Sequence, residues 1–409
     1  MCAYRAGQGL ESFAGVGAAE QQNSAWGLCV LGRLCFEAGR YPEAARAFAA
    51  AHELAPYRVR DMDAYSTLLW HMRREEDLAQ LAHALVRAGR SWSPEAWVAV
   101  ANCFSLDGDH ASAQRSLGRS IQLYAAGGVP RSDSGGVAGL AYAHTLVGHE
   151  SVAAGDDAER AQQAFRTAMR IDARHYNAWY GLGMVYLRQA RLDLAEYHLK
   201  RALALNTQNP LLLQSAGALL EARGDYAGAL AVYERVLAVY ARAPSSTSSV
   251  ANEDDAAPHH ALSFVLFKRA RVLVVLERFA DAAAVLRALL RRCPREFNVP
   301  FLLGQTYTRL RRFREAAACL TRALDIAPEN APSVREAFDA LYHDEEQEQA
   351  EGADLLPLDR EDSPLRGTSS SSSSVVESPD QLLAGGWGGD WRALSSADDR
   401  VARALDFDV

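Results

Sequence analysis

One spacing recurs along this chain and restricts it to stacked helical hairpins. Counting from Tyr176, large and small residues fall at fixed places: Trp179 at position 4, Leu182 and Gly183 at 7 and 8, Tyr186 at 11, Ala195 at 20, Leu199 at 24 and Ala202 at 27. Positions 4, 7, 8 and 11 lie on one face of a helix of 3.6-residue period. A small residue at 8, and another at 20, lets a second helix approach closely, and 24 and 27 are the buried face of that second helix.

The pattern returns along the chain. From Ala25 the same places hold Leu28, Leu31, Gly32, Cys35, Ala44, Phe48 and Ala51. From Pro94 they hold Trp97, Val100, Ala101, Phe104, Ala113 and Leu117. From Ala141 they hold Val147 and Gly148 and, after one inserted residue, Ala161, Phe165 and Ala168. Pro210, Ser263 and Phe297 open three more, and a weaker unit occupies 59–92. A period of about 34 residues with this pattern is the tetratricopeptide repeat, a helix–turn–helix unit. The expected fold is therefore all-α: a superhelix of eight repeats over 25–345, with 331–345 capping its open end and 1–24 as an N-terminal extension.

Two Gly/Ser/Pro-rich segments, 125–139 and 242–260, read as loop insertions between repeats. Beyond 346 the periodicity stops. From Asp344 to Val409 there are 16 Asp/Glu against 5 Arg, a net of −11, with a serine tract at 369–374. This stretch reads as a disordered acidic tail, in which Ser363 and Ser378, each before a proline, are candidate phosphorylation sites. Ser93 also precedes a proline, but there it reads as a helix N-cap.

The chain as a whole carries −8, so the part before Asp344 is close to neutral (38 basic against 35 acidic residues). That body has no basic stripe of the kind nucleic-acid binding requires. The six cysteines form no CxxC pair, which suits reduced thiols. No signal peptide is evident at the N-terminus, and no apolar run reaches the ~20 residues of a membrane span. No cofactor or metal is expected. His144 and His149 are five residues apart, not the i, i+4 of a helical zinc pair, and His259-His260 lie in the second insertion. Gly181 and Gly183 fall mid-helix, where a dinucleotide loop does not occur.

A repeat stack without catalytic residues works through its concave face, lined by positions 2, 5, 9 and 12 of each first helix. In the middle repeats these are Glu95, Val98, Asn102 and Ser105; Tyr142, Thr145, His149 and Val152; Asn177, Tyr180, Met184 and Leu187; and Leu211, Gln214, Ala218 and Glu221. Amides and carboxylates beside apolar residues suit a short peptide with one apolar and one basic side chain. A co-chaperone clamp for acidic peptides needs Lys/Arg at these places, which the middle repeats lack.

The blocks DMDAYSTLLWHM (61–72), SPEAWVAVANCFSLDGDHASA (93–113), AHTLVGHE (143–150) and RHYNAWYGLGMVYLRQARLDLAEYHLKRAL (174–203) resemble the C-terminal half of subunit 3 of the anaphase-promoting complex, or cyclosome. Subunit 8, which shares the repeat type, is similar around AWYGLG. The resemblance implies a non-catalytic scaffold of a multisubunit ubiquitin ligase, acting in nucleus and cytoplasm with the other subunits as partners. It further implies a groove that receives the Ile-Arg tails of co-activators. Asn102 is then the first candidate for the tail's backbone or carboxylate, and Glu95 and Glu150 for its arginine. Thr145, His149, Asn177, Tyr180 and Gln214 complete the candidate peptide site. Family members form homodimers through N-terminal repeats, and only about one repeat precedes DMDAYST in this chain.

Overall fold

The structure, a computed structural model, describes residues 23–87, 93–126, 134–155, 158–242 and 256–354. These residues form seventeen α-helices and no strand. In order they are α1 (Ala25–Glu37), α2 (Tyr41–Leu54), α3 (Met62–His71), α4 (Glu75–Leu85), α5 (Pro94–Leu106), α6 (His110–Ala126), α7 (Ser134–Ala153), α8 (Ala158–Ile171) and α9 (Tyr176–Arg188). There follow α10 (Leu192–Leu205), α11 (Pro210–Ala222), α12 (Tyr226–Arg242), α13 (Ala256–Val275), α14 (Phe279–Arg292), α15 (Asn298–Arg309), α16 (Phe313–Ile326) and α17 (Ala331–Asp354). The first sixteen follow one another as eight helix–turn–helix units, and α17 packs on the last of them. This is the tetratricopeptide fold. The described residues divide into two compact units, the first running to Leu262 and the second starting at Ser263.

The repeat register is written into the backbone. Position 15 of every repeat, in the turn between its two helices, has a positive φ: Gly39, Gly108, Gly155 and Gly224, but also Arg73, Ala190, Glu277 and Arg311. A left-handed residue ends the first helix and turns the chain back, and glycine does this at least steric cost.

Position 8 is small because the position-24 side chain of the same repeat lies directly over it. A Cβ on Gly183 would sit 2.9 Å from Leu199 Cγ, and one on Gly304 2.8 Å from Leu320. Gly32, Gly148 and Gly217 lie under Phe48, Phe165 and Tyr233 in the same way. All five covering side chains are essentially inaccessible to solvent. The atoms nearest position 8 are thus those of the position-24 side chain, and in the last repeat the Ala316 carbonyl of position 20 lies 3.4 Å away as well. Phe165 is gripped from both sides, since a Cβ on Gly181 of the next repeat would also meet it, at 2.3 Å.

The insertions are shorter than their composition suggests. Helix α7 begins at Ser134 and α13 at Ala256, so 134–139 and 256–260, His259-His260 among them, are helical. Helix α17 continues past 345 to Asp354, because its Glu, Gln and Ala residues are good helix formers. Ser93 stands at the N-cap of α5, but its hydroxyl donates to Glu95 Oε2 (2.6 Å) rather than capping the helix. Ser363 and Ser378 lie outside the described residues.

Candidate functional site

The first helices of the repeats in the first unit, α1, α3, α5, α7 and α9, turn their inward positions toward one another. Those positions are polar, and the structure bonds them together. Asn102 on α5 donates its side-chain amide to Ser66 Oγ (2.9 Å) and Thr67 Oγ1 (3.1 Å) on α3. Tyr142 on α7 donates to the same Thr67 oxygen. Ser66 and Thr67 pass their own protons to the Asp63 carbonyl, at 2.7 and 3.1 Å. Trp70 Nε1 donates to Ser105 (3.1 Å), and Ser105 donates to Glu150 Oε1 (2.6 Å), whose other oxygen is 2.9 Å from His110 Nδ1.

The charged end of this surface lies on α1 and α3. Arg33 is 3.3 Å from Asp61 and 3.8 Å from Asp63. Glu37, at the end of α1, accepts a hydrogen bond from Tyr176 at the start of α9, 139 residues away. Gly39 lies close to Pro210 at the start of α11. Within this unit the first repeat therefore reaches the fifth and sixth. Burial raises the Glu37 carboxyl to about 7, against the opposing pull of the Tyr176 hydroxyl and Arg33. Burial also raises the carboxyls of Asp63 and Glu95.

Beside this network is an apolar dimple lined by His149, Val152, Phe165, Tyr180, Gly181, Met184 and Arg188. His149 meets the Phe165 ring edge-on at 5.0 Å between centroids, and its Nε2 is buried without a hydrogen-bond partner. Burial holds its imidazole down at about 3 and that of His175 at about 4, so both are neutral near pH 7. Asn177 Oδ1 is likewise buried and unbonded. A buried polar atom without a partner costs roughly 1–3 kcal/mol, so these atoms are prepared to take a donor or acceptor from a ligand.

The candidate peptide residues thus divide. Asn102 and Glu150 sit within the hydrogen-bonded network. Glu95 is bound to Ser93, with Asp61 and Asp63 close enough to raise its pKa. His149 and Tyr180 line the dimple. Thr145 is spent on its own helix, donating to the Ala141 carbonyl. Gln214 lies apart, pointing its amide at Tyr240 on α12 (3.4 Å). Concave residues expected to be free of packing are mostly buried: Thr145 is 1% exposed, Tyr180 2% and Asn102 5%. Neighbouring first helices approach so closely that their inward side chains touch. Sequence reasoning missed Arg33, Asp63 and Thr67. They occupy the same positions 9, 5 and 9 of the first two repeats, and extending the count two repeats toward the N-terminus finds them.

No described helix is long and apolar enough to cross a membrane. The family model for the tetratricopeptide repeat matches residues 148–210 and 267–331. "Anaphase-promoting complex subunit 3" of Schizosaccharomyces pombe is 35% identical over 327 residues, covering 80% of this chain and 44% of that protein. "Cell division cycle protein 27 homolog B" of Arabidopsis thaliana is 32% identical over 322 residues, covering 78% of this chain and 39% of its own length. The chain therefore spans less than half the length of these relatives. Among solved structures, "Crystal structure of APC/C hetero-tetramer Cut9-Hcn1" superposes with a TM-score of 0.62 at 17% identity, over 82% of this chain and 58% of that one. That likeness is one of fold.

Proposed function

We propose that this chain, a relative of anaphase-promoting complex subunit 3 over four-fifths of its own length, is a non-catalytic scaffold subunit of such a ubiquitin ligase. Its working surface is the inward face of the first unit, which receives the Ile-Arg tail of a co-activator, and it acts in nucleus and cytoplasm alongside the complex's other subunits. The observation that carries this reading is the pairing, on one face, of the carboxylate cluster (Glu37, Asp61, Asp63) with the apolar dimple around Tyr180 and Met184. The first suits a guanidinium and the second a branched aliphatic side chain.

A tail entering here exchanges bonds rather than filling an empty groove. Asn102 already gives both protons to Ser66 and Thr67, so a peptide carboxylate or carbonyl must replace those acceptors. Arg33 likewise already sits against Asp61 and Asp63, and an incoming guanidinium shares or displaces that pairing. Both exchanges favour weak, reversible binding.

The assembly claim is tested by purifying the tagged chain from its own cells and identifying its companions by mass spectrometry. Co-purification of cullin-like and RING subunits is the expected result. A companion set made of chaperones, with no ligase subunits, contradicts the assignment.

A further inference from the structure

On the side of the first unit formed by its second helices, α8 and α10 leave a groove of about 970 Å³ between them. Its floor and one wall are aromatic: Trp179 of α9 lies 6.2 Å from Tyr197 and 5.4 Å from His198, and Tyr197 and His198 meet edge-to-face at 5.1 Å. Tyr197 is 61% exposed. Such a cluster is an energetic cost in water unless something covers it.

The rim is cationic. Arg166 donates to Gln162 and to the Tyr186 hydroxyl, and Arg170 to Thr167, all neutral acceptors. The Arg201 guanidinium lies 5.9 Å over the Trp179 ring. Two arginines, Arg166 and Arg170, line the groove against one carboxylate, Glu159, and Arg201 adds a third cation over Trp179. The groove therefore suits a segment that carries apolar and acidic side chains on opposite faces.

The chain contains such a segment. Residues 405–409 read Leu-Asp-Phe-Asp-Val. In an extended conformation side chains alternate, which puts Leu405, Phe407 and Val409 on one face and Asp406 and Asp408 on the other. Fifty residues lie between Asp354 and Leu405, a length of chain whose maximum reach is on the order of 165 Å. We propose that this C-terminal segment docks in cis in the α8–α10 groove, its apolar face on Trp179 and Tyr197 and its two aspartates on Arg166 and Arg170. The tail then shields the aromatic groove and withdraws its own acidic end from other partners. This proposal is independent of the Ile-Arg reading, which concerns the opposite set of helices.

Photo-crosslinking of the full chain carrying Phe407→p-benzoylphenylalanine tests it. The expected adducts are to Met169, Trp179 or Tyr197 within one molecule. Adducts concentrated elsewhere overturn the proposal. When the chain is mixed with an isotope-labelled copy, a majority of mixed-isotope adducts overturns docking in cis and identifies a second copy as the source. A second measurement uses a labelled, C-terminally amidated peptide of sequence RVARALDFDV. It is expected to bind the full chain bearing Phe407→Asp at least threefold tighter than the parent, whose own tail competes. Adding Arg170→Glu or Tyr197→Ala, both changes at exposed side chains, is expected to weaken binding at least fivefold, with helicity by circular dichroism unchanged. Equal binding to all four chains overturns the assignment.

Discussion

The two compact units share one packing scheme and differ in what they place on their inward faces. In the first unit those positions carry Arg33, Asp63, Thr67, Asn102, Tyr142 and His149; Asn102 and Tyr142 both hydrogen-bond Thr67 across 35 and 75 residues, and Arg33 pairs with Asp63. In the second, the corresponding positions of α13 and α15 carry Phe264, Phe267, Arg271 and Val274, and Asn298, Phe301, Gln305 and Thr308. There Thr306 donates its hydroxyl to the Leu302 carbonyl of its own helix, and Arg312 donates to Glu315 within the same cap. The apolar core under both is alike, with Gly183 beneath Leu199 and Gly304 beneath Leu320. The position 8–24 contact thus recurs in both units, whereas the hydrogen-bonded network of Thr67, Asn102 and Tyr142 lies on the inward face of the first.

The largest expected effect tests the shared part. Phe165→Ala removes a fully buried ring held between Gly148 and Gly181, and is expected to cost about 3–5 kcal/mol. Leu320→Ala in the second unit is expected to cost about 2–5 kcal/mol. Hydrogen exchange on the full chain reads each effect in its own unit. A Phe165 variant whose loss of protection is confined to α13–α17 breaks the claim that each repeat is held from within.

The next effect is specific to the first unit and to pH. Folded, Glu37 holds its proton up to about 7, whereas its ordinary value is 4.5. Between those values the folded chain binds a proton that the unfolded chain has lost, so its contribution is greatest below about 4.5 and declines as pH rises to about 7. The decline is at most about 3 kcal/mol. His149 and His175, held neutral by burial, act in the opposite sense, and their contribution is lost as pH falls below the ordinary 6.5. Comparing wild type with Glu37→Gln isolates the carboxyl. Denaturant midpoints of the two should diverge between pH 5 and 8, wild type losing ground as pH rises. Parallel curves would show that Glu37 is solvated and the contact to Tyr176 unimportant.

The smallest effect sharpens the register. Ala190, Glu277 and Arg311 hold left-handed turns that other repeats give to glycine, so Ala190→Gly and Glu277→Gly are each expected to stabilise by about 0.5–1 kcal/mol. A loss of stability on thermal melting would mean that those turns are not where the repeat count puts them.

These cases show what the sequence can and cannot reveal. The spacing of Leu182, Gly183, Tyr186 and Leu199 identified the helical hairpin and its buried faces, because apolar periodicity reports directly which side of a helix leaves water. It could not say that the Leu199 side chain is what lies nearest over Gly183, since that depends on how the second helix slides along the first. The inward positions were legible as a set, and Asn102, His149 and Glu150 all fall on or beside that face. Their burial was not legible. Exposure on a concave face depends on how tightly successive repeats curl, a quantity that accumulates over five hairpins and that no single repeat encodes. Arg33 and Glu37 matter because the curl brings α1 within reach of α9.

The claim that the inward face of the first unit, and not that of the second, receives a peptide is tested most directly by fluorescence polarisation with a labelled peptide ending in Ile-Arg, titrated with the full chain. The expected dissociation constant is micromolar to tens of micromolar, on the order of −6 to −8 kcal/mol. Asn102→Ala should weaken binding by roughly 1–3 kcal/mol, and Gln305→Ala, an exposed inward position of the second unit, should leave it unchanged. Binding that survives Asn102→Ala intact, or that is lost with Gln305→Ala, means that the peptide does not sit on the inward face of the first unit.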